Sequence, residues 1–478
     1  MVFSSAIFLF VFLPTVFLLY RLRRELRTQN ILLAAASIVF YAFGQLGYVS
    51  LFLLSVCINY LAGRLLLSPG RHRRAVLTLA VLLNLGILAL FKYTDFVLQN
   101  VNALLHTRIP LPGILLPIGI SFFTFQGLSY VIDTYRDPQN GSRDFLKVLL
   151  YLSFFPQLIA GPIVKYHDIA AQIDCRACGA EETAAGLRRF IRGLAKKVLI
   201  ADAVGYIADV VFGDCLHGVY GAPDARLMWL GALCYTLQIY YDFSGYSDMA
   251  IGMGRMFGFR FKENFLFPYG AASLREFWRR WHISLSSWFK DYLYIPLGGN
   301  RRGRLRTACN RLLVFFCTGI WHGANWTFVL WGLGHGALAS LEDLGVIPVK
   351  KLGQSRVGRF FGRAYTLLAV MLLFALFRAD SLRDAGALFA AMFSGGTSPA
   401  GSLLLARLLS PAALVTLLVA VLCAGNLVPT LRARLCPEGA ESRPGTLLAA
   451  QLVSLLLLAL SILSLASGGF HPFIYFQF

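Results

Sequence analysis

Apolar runs such as "LVSLLLLALSILSLA" (452–466) recur along this chain, and a sequence built from them cannot close into a water-soluble fold. A soluble chain carries charge on about a quarter of its residues, whereas here 14% are charged and 57% are hydrophobic across 478 residues. In lipid, every backbone polar group must be satisfied inside the protein, which leaves helices and closed barrels. The expected fold class is all-α: a polytopic membrane helical bundle of about 11 spans plus re-entrant segments, forming one domain over residues 1–478. The opening run, "AIFLFVFLPTVFLLY" (6–20), is followed rather than preceded by Arg21, Arg23, Arg24 and Arg27, and no small-residue cleavage site comes after it. It is expected to remain as a span.

The 44 Lys and Arg against 24 Asp and Glu give a net charge of +20, which in a soluble protein would suggest nucleic acid. Here the positive residues sit in short loops between apolar runs, where they hold a loop on the cytoplasmic side. Membrane lipid is therefore the expected partner, and nucleic acid is not. Basic loops at Arg21–Arg27, Arg71–Arg74 and Arg136–Lys147 alternate with nearly neutral ones, which predicts an N-terminus outside the cytoplasm. Residues 148–163, "LLYLSFFPQLIAGPIV", are apolar yet flanked on both sides by basic loops, with Pro156, Gly161 and Pro162 inside; a re-entrant or half-buried segment fits. Gln157 and Lys165 beside that turn are read as structural. Cys57, Cys234, Cys317 and Cys423 lie in apolar runs as small hydrophobes. Cys175 and Cys178 form the only CxxC, and one pair with only His167 nearby does not make a zinc site, so no metal is expected.

Residues 255–311 are the most charged stretch, with 12 Lys or Arg against 3 acids, and Trp278, Trp281 and Trp288 stand among the arginines. Interleaved Trp and Arg suit an amphipathic helix lying in the interface. The same arginines, Arg279 and Arg280 beside Trp281, are candidates for gathering a phosphorylated donor, because guanidinium forks match phosphate oxygens. Next comes "FCTGIWHGANWTFVLWGLGHG" (316–336), apolar but holding two histidines and five glycines. The apolar stretch 312–340 has 29 residues, too many for one simple span and too few for two, which need about 40. The loop after it is basic again, so the chain is expected to enter the membrane and return, turning near "WHGANW" or "GLGHG". That puts His322 at depth, where an ionisable residue is a functional candidate. Asp242 and Asp248 in "YYDFSGYSDM" are read either as lining an internal tunnel or as helix-packing glue. Asn325 is placed to anchor the loop of His322 through backbone bonds, and His335 reads as a packed residue.

The segments "FFPQLIAGPIVKY" (154–166), "YYDFSGYSDMAIGMGRMFGF" (240–259), "NFLFPYGAASLREFWRRWHISLSSWFKDYLYIPLGGNRRG" (264–303), "WHGANWTFVLWGLGHG" (321–336) and the terminal "PFIYFQF" resemble the membrane-bound O-acyltransferases, within them the bacterial branch that serves alginate O-acetylation. The resemblance implies helices around a central tunnel, in which an acyl group from a cytosolic thioester meets a hydroxyl acceptor from the other side. His322 falls on the family's catalytic histidine. His282 falls on a position that is His in this branch and Asn in many relatives; since Asn cannot act as a base, the resemblance implies general base for His322 and an orienting or polarising role for His282. It implies acetyl-CoA as donor substrate with no bound cofactor, and residence in the bacterial inner membrane with a periplasmic N-terminus. An extracytoplasmic transferase of the SGNH type, or another acceptor protein, is the implied partner, which then modifies a polysaccharide. Two alternatives stay open here: D-alanyl transfer from a carrier-protein thioester to teichoic acid, and a polysaccharide transporter or flippase. The latter usually shows two related halves, and no such internal similarity is visible.

Overall fold

The computed structural model describes residues 1–219, 224–435, 444–468 and 473–474. Among them the regular secondary structure is helical, with no strand. Four helical runs are long and apolar enough to cross a bilayer: Leu26–Leu66, Arg73–Leu105, Arg356–Arg378 and Gly445–Ala466. Leu382–Ser394 and Pro399–Leu408 together make a fifth, bent by 98°. Shorter or broken helices carry the other apolar runs, for local reasons. The apolar run over 113–132 begins its helix only at Ile120, because Pro110, Pro112 and Pro117 cannot continue a helical hydrogen-bond ladder. The residues form two compact units.

The first unit comprises residues 1–190 and 246–263. Its helix Arg73–Leu105 exposes most of its surface, with Leu79, Leu82 and Leu90 more than half exposed, as expected for a lipid-facing helix. Inside, Asn59 and Asn84 exchange side-chain hydrogen bonds at 3.1 Å, a polar tie between helices where lipid offers no hydrophobic drive. The segment expected to be re-entrant or half-buried forms Phe145–Ser153 and the short Phe155–Leu158. From Leu150 to Tyr166 every residue is buried in protein. Its irregular backbone survives there because side chains satisfy it: Tyr151 Oη donates to Val164 O at 2.9 Å, Gln157 Nε2 to Tyr151 O at 2.6 Å, and Phe155 N–H to Ser37 Oγ at 3.0 Å.

The second unit comprises residues 191–245 and 264–478. At its centre is a helical hairpin, Arg304–His322 and Trp326–Leu344, each arm 19 residues long, or about 28 Å. The arms are longer than the apolar stretch suggested because Arg304, Arg306 and Arg311 join the first one; arginine is a good helix former. The backbones meet at glycine. A Cβ on Gly332 would run into Phe315 O and stand 3.0 Å from Gly319 Cα, and one on Gly319 would run into Phe328 O. The basic motif folds into two short helices, Leu274–Arg280 and Ile283–Phe289. Ser273 caps the first, taking the Glu276 N–H at 3.1 Å, while Glu276 Oε2 takes the Ala272 N–H at 2.9 Å. Glu342, buried at the end of the hairpin's second arm, accepts Leu274 N–H at 2.7 Å and Arg275 N–H at 3.2 Å. A carboxylate at a helix N-terminus is favourable on both charge and hydrogen-bonding grounds, and here it docks the basic motif onto the hairpin.

Gly332→Val should prevent the arms from closing and sharply reduce folded protein in the membrane, while Gly332→Ala costs on the order of 1–3 kcal/mol through overpacking. Gly386→Ala, where a Cβ meets nothing within 4 Å, is the matched control. Unfolding of the three variants in detergent checks this, and an unchanged Gly332→Val would contradict the packing.

Candidate active site

His322 is the last residue of the hairpin's first arm and is 5% exposed. Gly323 follows in extended backbone, and a Cβ there would run into the Phe328 ring. Asn325 opens the second arm: its Oδ1 accepts Thr327 N–H at 3.1 Å and its Nδ2 donates to Asp380 O at 2.8 Å. The turn thus falls within "WHGANW", one of the two expected places, and Asn325 holds it from both sides. The His322 imidazole stands edge-on among three rings, with centroids at 4.9 Å to Trp321, 5.0 Å to Trp331 and 5.3 Å to Phe377. His335, also fully buried, accepts Trp278 Nε1–H on Nδ1 at 3.2 Å and stacks on Phe277; it ties the basic motif to the hairpin.

His282 occupies the join between the two short helices with φ +43°, a left-handed conformation uncommon for a side-chain-bearing residue. Its ring is fully buried, 4.6 Å from Phe243 and 6.0 Å from Trp321. The two motif histidines therefore share the Trp321 indole as neighbour. Asn264 Oδ1 accepts from Ser284 N–H at 3.2 Å and Ser284 Oγ at 2.9 Å. His282 Nδ1 stands 3.3 Å from that oxygen and 3.4 Å from Ser284 Oγ, so this side of the ring is held by Asn264 and Ser284 together. The other ring nitrogen, Nε2, is shielded from solvent and has no hydrogen-bond partner among the described residues. Enclosure away from water pushes the His282 pKa down to about 3, so the ring is neutral at physiological pH.

The arginines predicted to act together point to different places. Arg279 lines a cavity of about 650 Å³ with Arg275, Lys290, Arg301 and Arg311 around Trp278. Val314, Phe315 and Thr318 of the hairpin's first arm form its wall. Arg280 instead lines a separate cavity of about 800 Å³ with Asn426 and Arg434, and is held by Glu276 and by Asn426 Oδ1 at 3.0 Å. Trp281 lies in the aromatic core, stacked on Phe277 at 5.4 Å. Asp242, 1% exposed, pairs with Lys197 at 2.8 Å, and its Oδ2 takes the Ile474 N–H at 2.7 Å. It clasps the start of the terminal motif, of which only Phe473 and Ile474 are among the described residues; the rest lies outside them. Asp248 belongs to the first unit, where Arg189 Nη2 pairs with it at 2.8 Å. The structure thus brings His282, His322 and the cavity of Arg279 into one unit. Sequence reasoning missed Asn264, whose signal was a lone amide opening the aromatic run "NFLFPY", and Glu342, for which no local signal exists.

Residues 40–346 match the membrane-bound O-acyltransferase family. The chain belongs to that family and is an acyltransferase. It is 40% identical to the Azotobacter vinelandii protein named "probable alginate O-acetylase AlgI", over an alignment of 511 residues covering 100% of both chains. It is 36% identical to the Helicobacter pylori peptidoglycan O-acetyltransferase over 418 residues, 80% of this chain and 78% of that one. The Bacillus subtilis teichoic acid D-alanyltransferase is more distant, at 27% over 233 residues, 46% of this chain and 57% of that one.

Burial of neutral His282 has a pH consequence. The unfolded chain takes up a proton near pH 6.5 that the fold refuses until about 3. This contribution to stability is complete above about pH 6.5 and is lost as pH falls below it, by about 1.4 kcal/mol per pH unit for one proton. Unfolding of the wild type and His282→Asn in detergent between pH 7.5 and 5 should show a shallower slope in the variant by about that amount. Equal slopes would contradict the assignment.

Proposed function

We propose that this chain takes acetyl from cytosolic acetyl-CoA and passes it across the bacterial inner membrane for O-acetylation of an extracytoplasmic polysaccharide. An SGNH-type transferase or another acceptor protein receives the group on the far side, and the N-terminus is periplasmic. The acetyl assignment is supported by relatives named as alginate and peptidoglycan O-acetyltransferases. The observation that carries the donor assignment is the basic cavity around Trp278. Arg279, Lys290 and Arg301 reach it without an ion pair among the described residues, and an aromatic ring stands among them. Guanidinium groups suit the phosphates of a coenzyme A nucleotide. Thr318 on the cavity wall lies one helical turn before His322, so a thioester arm extending from bound phosphates along this arm runs towards that imidazole.

In the proposed step the acceptor hydroxyl oxygen bonds to the thioester carbonyl carbon, the carbon–sulfur bond breaks, and the hydroxyl proton goes to His322. The thiolate then takes a proton and leaves as free coenzyme A. A base positioned in this way is worth on the order of 10² to 10⁴ in rate. His282 has the orienting or polarising part in this scheme.

Arg279→Gln should raise KM for acetyl-CoA by on the order of tenfold and flatten its dependence on salt, since charge-based capture is screened by ions. Arg280→Gln, which lines the other cavity, should leave both nearly unchanged. An unaltered KM in a normally inserted Arg279→Gln enzyme would overturn the donor assignment.

A further inference from the structure

A second basic cleft lies in the first unit and shares no residue with the histidine site. It holds about 360 Å³ and is lined by Tyr20, Arg21, Arg23, Arg24, Asp174 and Arg176, among others. Four guanidinium groups face one carboxylate, and that carboxylate is already taken by Lys147 at 2.6 Å. Arg176 is held rigidly. Its Nε donates to Tyr20 Oη at 3.1 Å, its Nη1 to Asn30 Oδ1 at 2.7 Å, and its guanidinium lies 4.5 Å from the Phe259 ring centroid. Its remaining nitrogen, Nη2, is shielded from solvent and has no hydrogen-bond partner among the described residues. A shielded guanidinium donor without an acceptor is costly, and like charges gathered at one cleft repel one another. An anion with several acceptor oxygens relieves both, and phosphate matches the guanidinium fork.

The surroundings select the source of that phosphate. Arg21, Arg23 and Arg24 fall at the end of the apolar helix Leu13–Leu22, whose Leu18, Leu19 and Leu22 are 60%, 40% and 68% exposed. Basic clefts at the ends of membrane helices suit anionic lipid headgroups. We propose that this cleft binds the headgroup phosphate of an anionic phospholipid, with its acyl chains lying along the exposed leucines of Leu13–Leu22. A basic loop that only sets topology accounts for Arg21, Arg23 and Arg24. It does not account for Arg176, which arrives from a distant part of the chain with an unmet donor.

The test uses the full chain in phosphatidylcholine nanodiscs containing phosphatidylglycerol. Lipids released with the protein are counted by native mass spectrometry. In parallel, thermal unfolding in detergent is titrated with phosphatidylglycerol, phosphatidylcholine or inorganic phosphate. The wild type should retain phosphatidylglycerol selectively and be stabilised by it, but not by phosphatidylcholine or by inorganic phosphate at equal phosphate concentration. The side chains of Arg23 and Arg24 are exposed and make no hydrogen bond or ion pair among the described residues. Arg23→Gln with Arg24→Gln should therefore keep the fold and weaken phosphatidylglycerol binding on the order of tenfold. Equal retention of both lipids by the wild type, or unaltered binding in the double variant, would overturn the proposal. Stabilisation by inorganic phosphate equal to that by phosphatidylglycerol would make this a free-phosphate site and overturn the lipid assignment.

Discussion

At Gly319 and Gly332 two helix backbones touch without side chains between them, and the placement of His322 depends on that contact. Lipid gives helices no hydrophobic reason to associate, so close backbone packing and polar ties must do it. Once the arms are closed, the turn at Gly323 and Asn325 is short enough to bring His322 beside Trp331 of the returning arm. Glu342 at the arm's far end then takes two backbone N–H groups of the basic helix, and His335 takes the Trp278 indole hydrogen. The basic cavity around Trp278 and the histidines are thereby fixed to one rigid element.

The buried polar groups around the site are matched one by one, and the exceptions are informative. Asn264 spends its oxygen on Ser284 and stands beside His282 Nδ1, while His282 Nε2 has no hydrogen-bond partner among the described residues. An unsatisfied buried group carries a penalty in a fold of no function. The rings of Trp321, Trp331 and Phe377 around His322 keep water from its imidazole; in the proposed scheme they would also keep it from the thioester.

Much of this was legible in the sequence. Scarcity of charge identified a helical membrane protein, and "WHGANW" was one of two places named for the turn, with Gly323 and the N-capping Asn325 two residues apart. The basic motif was readable as helical, although not as two helices joined at His282. Tertiary partners were not readable. Arg279 and Arg280 are adjacent in sequence, yet at helical spacing neighbours point about 100° apart, so they enter different cavities. Asp242 and Asp248 look like one pair and serve separate ion networks, because Lys197 and Arg189 lie at distances along the chain that no local pattern relates to them. Proline, by contrast, is a local signal: Pro117 within the apolar run 113–132 marks why its helix starts late.

The central claim is that His322 moves the proton in acetyl transfer across the membrane. Its most direct measurement supplies acetyl-labelled coenzyme A at the cytoplasmic face of membrane vesicles and follows label into material on the opposite side. The wild type should transfer label, and His322→Ala, at normal membrane level, should do so slower by a factor on the order of 10² or more. Near-normal transfer by a properly inserted His322→Ala enzyme would contradict the account.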